Sequence, residues 1–316
     1  MDLIEHDRQA RTGQDPIRIG LALGGGAVRG AAHLGVLDVF DRAGLAPAVV
    51  TGTSAGALVG ALYAAGRTAA EIDALAGSLH WARLVRPSVS GRALFETRRL
   101  GGFLHKALDG SDFADLPLPF AAVACELTTG ERVVLRDGPV STAVLASAAI
   151  PGVFPPVERD GMLLVDGGLA DMVPAALARS LGADIVVAVD VSGPLPRRRP
   201  ATMLQVMVAA SSLQAGIAER LARDADLVLT PQVDAYAFWE LSRIAEFRRA
   251  GQVAAEQSLP LVRALVEVAR ARREWQRGRP EVATSRGVSV MARSASSPGQ
   301  TAVDGDPASR HDYRTR

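Results

Sequence analysis

Short apolar runs alternate along this chain with stretches whose apolar residues recur every three or four positions. Arg18-Ile19-Gly20-Leu21-Ala22-Leu23 predicts a first strand that runs straight into Gly24-Gly25-Gly26-Ala27-Val28-Arg29-Gly30. The next segment predicts a helix with Leu34, Leu37, Val39 and Phe40 on its apolar side and Gly44 as its stop. Val49-Val50 predicts a second strand, broken by Gly52-Thr53-Ser54-Ala55-Gly56 into a helix over 57–62. Thr68 is placed to cap a helix carrying Ile72, Leu75 and Leu79.

Farther on, strands are predicted over 120–126 and 132–135 around the turn Thr128 to Glu131, then a helix over 140–147 stopped before Pro151. A short strand over 162–165 ends at Asp166-Gly167-Gly168, and Pro174 opens a helix that Gly182 ends. A buried strand over 185–189, a helix over 202–223, a strand over 227–229 and helices near 238–248 and 251–275 complete the series. Strands alternating with helices predict an α/β fold, three-layer α/β/α with a mostly parallel central sheet. The expected domain spans 17–275, between a disordered start (1–16) and a tail (276–316) rich in Ser, Arg, Pro and Gly. Residues 80–119 are irregular and arginine-rich, with one helical piece near 100–108. They are expected to form a lid, the alternative being a connection without a role.

Composition narrows the field. With 48% hydrophobic residues the chain can bury a core built mainly of Ala, Val and Leu, and a net charge of +1 gives no case for nucleic acid as a partner. Lys106 is the only lysine among 35 basic residues, an arginine bias that reflects composition more than function. Cys125 is the only cysteine, which rules out an intramolecular disulfide, and its apolar run marks it as a core residue. No window approaches 18 consecutive apolar residues and the N-terminus lacks a signal-peptide core, so no transmembrane segment is expected and a cytoplasmic location is the default. The oligomeric state is left open.

The chemistry centres on Ser54. An apolar strand, Gly-x-Ser-x-Gly and a helix form the context of a nucleophile elbow, with Gly52 and Gly56 leaving room for a strained serine. The glycine-rich loop at 24–30 does not fit a dinucleotide fingerprint. Counting from Gly24 the third required glycine is Arg29, from Gly25 the second is Ala27, and no acidic residue ends the next strand. Adjacent glycines with exposed N–H groups at a helix start, beside Arg29, suit an oxyanion hole better.

A serine needs a proton acceptor. The histidines are His6, His33, His80, His105 and His311, and none is placed as the third member of a Ser–Asp–His series. His33 sits one turn into the first helix, where packing or a helical hydrogen bond is the expected role. A carboxylate is therefore the candidate base. Asp166 ends a short apolar strand beside a glycine pair, and it emerges on the same edge as Ser54 if that strand is parallel to the elbow strand. Asp190, at the end of another strand, is its rival.

These blocks, together with Ala146-Ser147-Ala148-Ala149-Ile150-Pro151-Gly152-Val153-Phe154-Pro155-Pro156, resemble the patatin-like phospholipase family in content and order, over about residues 18–235. Ala27 stands where that family commonly has another glycine, a slight loss unless the position needs positive φ. The resemblance implies a compact bacterial type of serine acyl hydrolase that cleaves lipid carboxylic esters, phospholipid or lysophospholipid, with no metal or cofactor. It implies Ser54 as nucleophile and Asp166 as base, in a dyad whose turn is made by Gly167 and Gly168. It also implies an oxyanion hole from Gly25, Gly26 and Ala27, helped by Arg29. An ordinary aspartate is a weak base, so burial under the lid is expected to raise the Asp166 pKa. The alternative function is a lipid-sensing or regulatory protein of the same fold with little turnover. Arg83, Arg86, Arg92, Arg98, Arg99 and Arg197 to Arg199 either meet anionic head groups at a membrane surface or form a solvated face. Phe95, Phe103, Leu104 and Leu108 either line an acyl channel or pack in the core.

Overall fold

A computed structural model describes residues 15–78, 86–88, 91, 93–192, 202–203, 205–207, 224–233 and 241–277. The first strand, β1 (Ile19–Leu23), is fully buried and leads through the glycine-rich loop into α1 (Ala31–Arg42). Gly44, at φ +68°, lets the chain leave that helix. The elbow strand β2 (Val49–Thr53) follows, then α2 (Ala55–Ala64) and α3 (Ala69–Ser78). At the start of α3 the Thr68 hydroxyl accepts from Glu71 N–H at 3.2 Å while Glu71 Oε2 accepts from Thr68 N–H at 2.8 Å, a reciprocal cap.

The described part of the segment expected to form a lid carries regular elements. Strands β3 (Arg86–Pro87) and β4 (Phe95–Glu96) pair antiparallel, and α4 (Arg98–Ala107) buries Leu104 and Ala107. The N–H groups of Leu94 and Phe95 bond to the carbonyls of Gly152 and Val153, which ties the segment to the turn after α5 (Val140–Ser147). Residues 79–85, 89–90 and 92 lie outside the description, and so do Arg83 and Arg92.

Strands β5 (Phe120–Glu126), β6 (Arg132–Leu135), β7 (Val157–Arg159), β8 (Met162–Asp166), β9 (Ile185–Val189) and β10 (Leu227–Leu229) complete the main sheet. Its order is β10-β9-β1-β2-β5-β8-β7, with β6 also on β5. The first five strands of that order are parallel, while β6 and β8 run antiparallel to β5. The Asp166 strand is therefore antiparallel to the elbow strand, so the condition under which the two residues were to share an edge is not met. The short β7 was not legible in the sequence, because its half-exposed Val-Glu-Arg carries no apolar pattern.

The registers along β5 place the site. Thr53 of β2 lies opposite Val123, Asp166 of β8 opposite Ala124, and β6 spans Ala122 to Cys125. Since β6 overlaps both, it holds one edge of β5, and β2 and β8 share the other, end to end. The elbow strand climbs to the level of Val123, and β8 descends from above to the next rung. Ser54 and Asp166 meet in the gap.

Leu21, Leu23, Val50, Ala122 and Val187 pack one face of the sheet into the large core with α1, α2 and α5. On the other face, small residues such as Ala22, Val186 and Ala188 pack against the short helix α6 (Ala175–Ser180). Cys125 is buried in β5, and burial pushes its thiol pKa up, as expected of a core residue.

Of the helix expected over 202–223 only residues 202, 203 and 205–207 are described. Beyond 240, the two helices expected near 238–248 and 251–275 are one, α7 (Ile244–Arg277), with residues 234–240 outside the description. The second helix was expected to begin at Gly251, yet here that residue lies inside one helix, at a contact. A Cβ on Gly251 would lie 1.9 Å from the Ala32 carbonyl oxygen, and one on Gly35 would lie 2.1 Å from that of Arg248. The backbones of α1 and α7 touch where these two glycines cross.

Gly251→Ala is expected to destabilise the fold by about 1–3 kcal/mol, although alanine is the better helix former by about 1 kcal/mol. Thermal unfolding checks this, and a neutral or stabilising outcome would contradict the crossing.

Candidate active site

The elbow is strained. Ser54 sits at φ 53°, ψ −117°, a conformation that non-glycine residues adopt only under restraint. The restraint comes from close backbone approach on both sides. A Cβ on Gly52 would lie 2.4 Å from the Gly56 carbonyl oxygen, and one on Gly56 would lie 2.1 Å from that of Leu23. The Ser147 hydroxyl in α5 accepts the Ser54 N–H at 2.9 Å. Beneath the elbow, the Thr51 and Thr53 hydroxyls donate to the carbonyls of Pro174 and Asp171, binding β2 to the chain after β8.

Ser54 Oγ donates to Asp166 Oδ2 at 2.7 Å, and both residues are buried. The other carboxylate oxygen, Oδ1, accepts Gly168 N–H at 2.8 Å, which fixes the plane of the group. Gly167 is required by contact, since a Cβ there would lie 2.1 Å from the Val123 carbonyl oxygen. It is the residue at which β8 turns off before running into β2. Burial raises the Asp166 pKa from 3.8 to about 6, while the bonds from Ser54 and Gly168 oppose the rise. A hydroxyl held on a carboxylate of that basicity can be deprotonated as it attacks an electrophilic carbon.

Asp190 is not part of this pair. Its Oδ1 accepts from both the N–H and the hydroxyl of Ser192. His33 is fully buried, its Nε2 donates to the Gly24 carbonyl at 2.8 Å, and burial lowers its pKa to about 4. It is thus neutral at physiological pH and holds the glycine-rich loop through a bond outside its own helix, not the helical bond expected of it. His105 lies beside Gly110, and His6, His80 and His311 lie outside the described residues.

The loop itself divides its duties. Gly24 N–H bonds to the Val189 carbonyl and Gly25 N–H to the Met172 carbonyl at 3.1 Å, so Gly25 acts as a spacer rather than a free donor. The N–H groups of Gly26 and Ala27 are left as candidate donors in this loop, whose Gly25 lies against the Ser54 side chain. Ala27 has φ 50°, so it does need the left-handed conformation, the condition under which alanine is a poor substitute for glycine. Arg29 is 1% exposed, and its Nη1 donates to the Ser192 carbonyl, which ties the loop to the chain after β9. Ser147 and Met172 were missed as site residues. Ser147 lay within a recognised block, whereas nothing in the local sequence marks Met172, whose carbonyl accepts from Gly25 and whose side chain packs against Gly25 and Gly168.

An apolar cavity of about 110 Å³ opens beside the loop and elbow, walled by Ala27, Ala55, Leu58, Leu75, Phe103 and Leu104 among others. Leu108 is instead core, and Phe95 packs on Phe154 with ring centroids 6.5 Å apart. Arg86, Arg98 and Arg99 line a second, open hollow with Glu96. Among the described residues no cluster of His, Cys, Asp and Glu is arranged to hold a metal, and no helix is long and apolar enough to cross a membrane.

Residues 21–179 match the Patatin-like phospholipase family. An uncharacterized NTE family protein of Mycobacterium tuberculosis is 37% identical over 190 residues, 57% of this chain and 51% of that protein. Patatin-like phospholipase domain-containing protein 6 of Homo sapiens is 36% identical over 186 residues, 55% of this chain but 13% of that protein. The chain therefore spans about half the length of the mycobacterial relative and a small part of the human one. Among solved structures, VipD from Legionella pneumophila aligns with a TM-score of 0.52 and 14% identity, covering 81% of this chain and 67% of that one, a likeness of fold alone. The chain belongs to the patatin-like phospholipase family, whose match covers half of its length.

Proposed function

We propose that this chain is a serine acyl hydrolase that cleaves lipid carboxylic esters through a Ser54–Asp166 dyad. The observation that carries this reading is the 2.7 Å bond from a strained elbow hydroxyl to a buried carboxylate of raised pKa. Ser54 Oγ attacks the ester carbonyl carbon as its proton passes to Asp166 Oδ2. The N–H groups of Gly26 and Ala27 meet the developing oxyanion, at a loop held in place by Gly25, Arg29 and His33. Collapse breaks the ester C–O bond, and the departing alkoxide takes the proton from Asp166, leaving an acyl-enzyme. Water, deprotonated by the same carboxylate, attacks the acyl carbon, and as the Oγ–acyl bond breaks the proton returns from Asp166 to Ser54 Oγ and the acid leaves. The raised pKa favours this chemistry because a base works best when its pKa lies near the operating pH. No metal or cofactor enters.

The apolar cavity is the proposed acyl site. At about 110 Å³ it is smaller than the ~150 Å³ apolar cavity that takes up a benzene ring, so short acyl chains fit without rearrangement. Peripheral contact with an anionic membrane surface through Arg86, Arg98 and Arg99 suits a lipid substrate, since these residues gather around one open hollow.

Ser54→Ala and Asp166→Asn are each expected to lower kcat for p-nitrophenyl butyrate by at least about 10⁴-fold, with Asp190→Asn close to wild type. A fluorophosphonate probe should label Ser54 in the wild type. Absence of labelling with the fold intact would favour the lipid-sensing alternative.

The pH dependence has a defined sign. As a base Asp166 must be ionised, so kcat/KM should fall as pH drops below about 6. Stability runs the other way. A folded pKa above the ordinary value contributes stability that is full below 3.8 and lost as pH rises through about 6. Asp166→Asn removes the buried charge, so it is expected to raise stability near pH 8 by up to ~3 kcal/mol, read as a higher unfolding temperature, and to have little effect near pH 4. An acid limb in kcat/KM centred near pH 4 would contradict the assignment.

In a series of p-nitrophenyl esters, butyrate is expected to exceed dodecanoate by at least about tenfold in kcat/KM. Leu58→Trp, which fills the cavity, should lower butyrate turnover and leave acetate nearly unchanged. An unaltered chain-length profile in that variant would place the acyl chain elsewhere.

A further inference from the structure

Helix α7 presents two apolar faces. One packs on the fold through Phe247, Gly251, Ala255 and Val262. The other is exposed. Leu261, Val268 and Trp275 are 51%, 65% and 60% accessible, and Ala264 and Ala271 between them are exposed as well. These five positions follow a three-four-three-four spacing, and at 3.6 residues per turn they fall within an arc of about 80° on the side opposite Val262.

The width and flanks of this stripe decide what covers it. A helix lying on a membrane surface has a broad apolar face under a mainly basic polar side. Here the stripe is narrow and two of its members are alanine, too little apolar area for that role, although Arg263, Arg270 and Arg272 outnumber Glu267 and Glu274 beside it. A strict three-four stripe is instead the seam of a coiled coil.

We propose that this stripe pairs, in parallel, with the same helix of a second copy of the chain. With Leu261, Val268 and Trp275 at the a positions and Ala264 and Ala271 at d, Glu267 falls at g and Arg272 at e. In a parallel pair, g of one helix faces the e position that follows it in the other. Glu267 then meets Arg272 of the partner subunit, twice by symmetry. An antiparallel pair about Val268 sets Glu267 against its own copy, a like-charge contact. Glu267 now bonds Arg270 one turn along its own helix, at 2.7 Å, an exposed pair weak enough to exchange. Alanine at d lets the two backbones approach closely. The seam runs about 21 Å, which places the interface at the small end of specific contacts and its affinity in the micromolar range. This pairing stands apart from the chemistry proposed at Ser54.

Sedimentation velocity over the micromolar range tests it, on the full chain. The wild type should pass from monomer to dimer with rising concentration. Val268→Glu should remain monomeric, with unchanged melting temperature and unchanged probe labelling at Ser54. Glu267→Arg should weaken the dimer about tenfold by placing two arginines together, and Glu267→Arg with Arg272→Glu should restore it. A wild type that stays monomeric throughout, a dimer indifferent to Val268→Glu, or a charge swap that fails to restore it would overturn the proposal. So would a monomer whose flotation with phosphatidylglycerol vesicles is lost in Val268→Glu, which would assign the face to a membrane.

Discussion

The site depends on two strands meeting end to end along one edge of β5. Elbow strand β2 rises to the rung of Val123 and β8 comes down to the rung of Ala124, so Ser54 and Asp166 face one another although their strands run in opposite directions. A shift of one residue in β8 would turn Asp166 to the other face of the sheet. Gly167 makes the meeting possible by letting the chain turn aside over the Val123 carbonyl, where a side chain has no room.

Closure of the same gap sets the electrostatics. Because both strand ends are covered, the carboxylate has lost water and keeps two hydrogen-bond donors, Ser54 and the Gly168 N–H. Desolvation outweighs those donors, and its pKa rises to about 6. The strained conformations of Ser54 and Ala27, each of the order of 1–3 kcal/mol, are held by their surroundings. Ser147, Thr51 and Thr53 secure the elbow, and His33 and Arg29 secure the loop. His33 is kept neutral by burial, which outweighs the bond to Gly24. With its folded pKa near 4, the stability it contributes is present above 6.5 and is lost as acid drives it toward the charged form.

Much of this was legible in the residues, for identifiable reasons. Strands β5, β6, β9 and β10 and helix α5 fall on their expected bounds, because apolar runs and glycine or proline breaks act locally. Ser54 and its glycines were legible because the elbow is a single continuous motif. The direction of β8 was not, since strand pairing is settled by partners far along the chain. Nor was the duty of Gly25, whose N–H goes to the carbonyl of Met172, a bond across the fold that leaves no trace in either side chain. The break expected before Gly251 was wrong for a related reason, as glycine serves both at helix boundaries and where two helices touch.

The central claim is that a buried carboxylate, held by one serine hydroxyl, has the basicity to serve as the sole base. Carbon-13 NMR titration of the Asp166 carboxyl group measures this directly. The expected midpoint is about 6 in the wild type, moving higher in Ser54→Ala, where the hydrogen bond that opposes the rise is gone. A midpoint near the ordinary 3.8, unmoved by that substitution, would contradict the account.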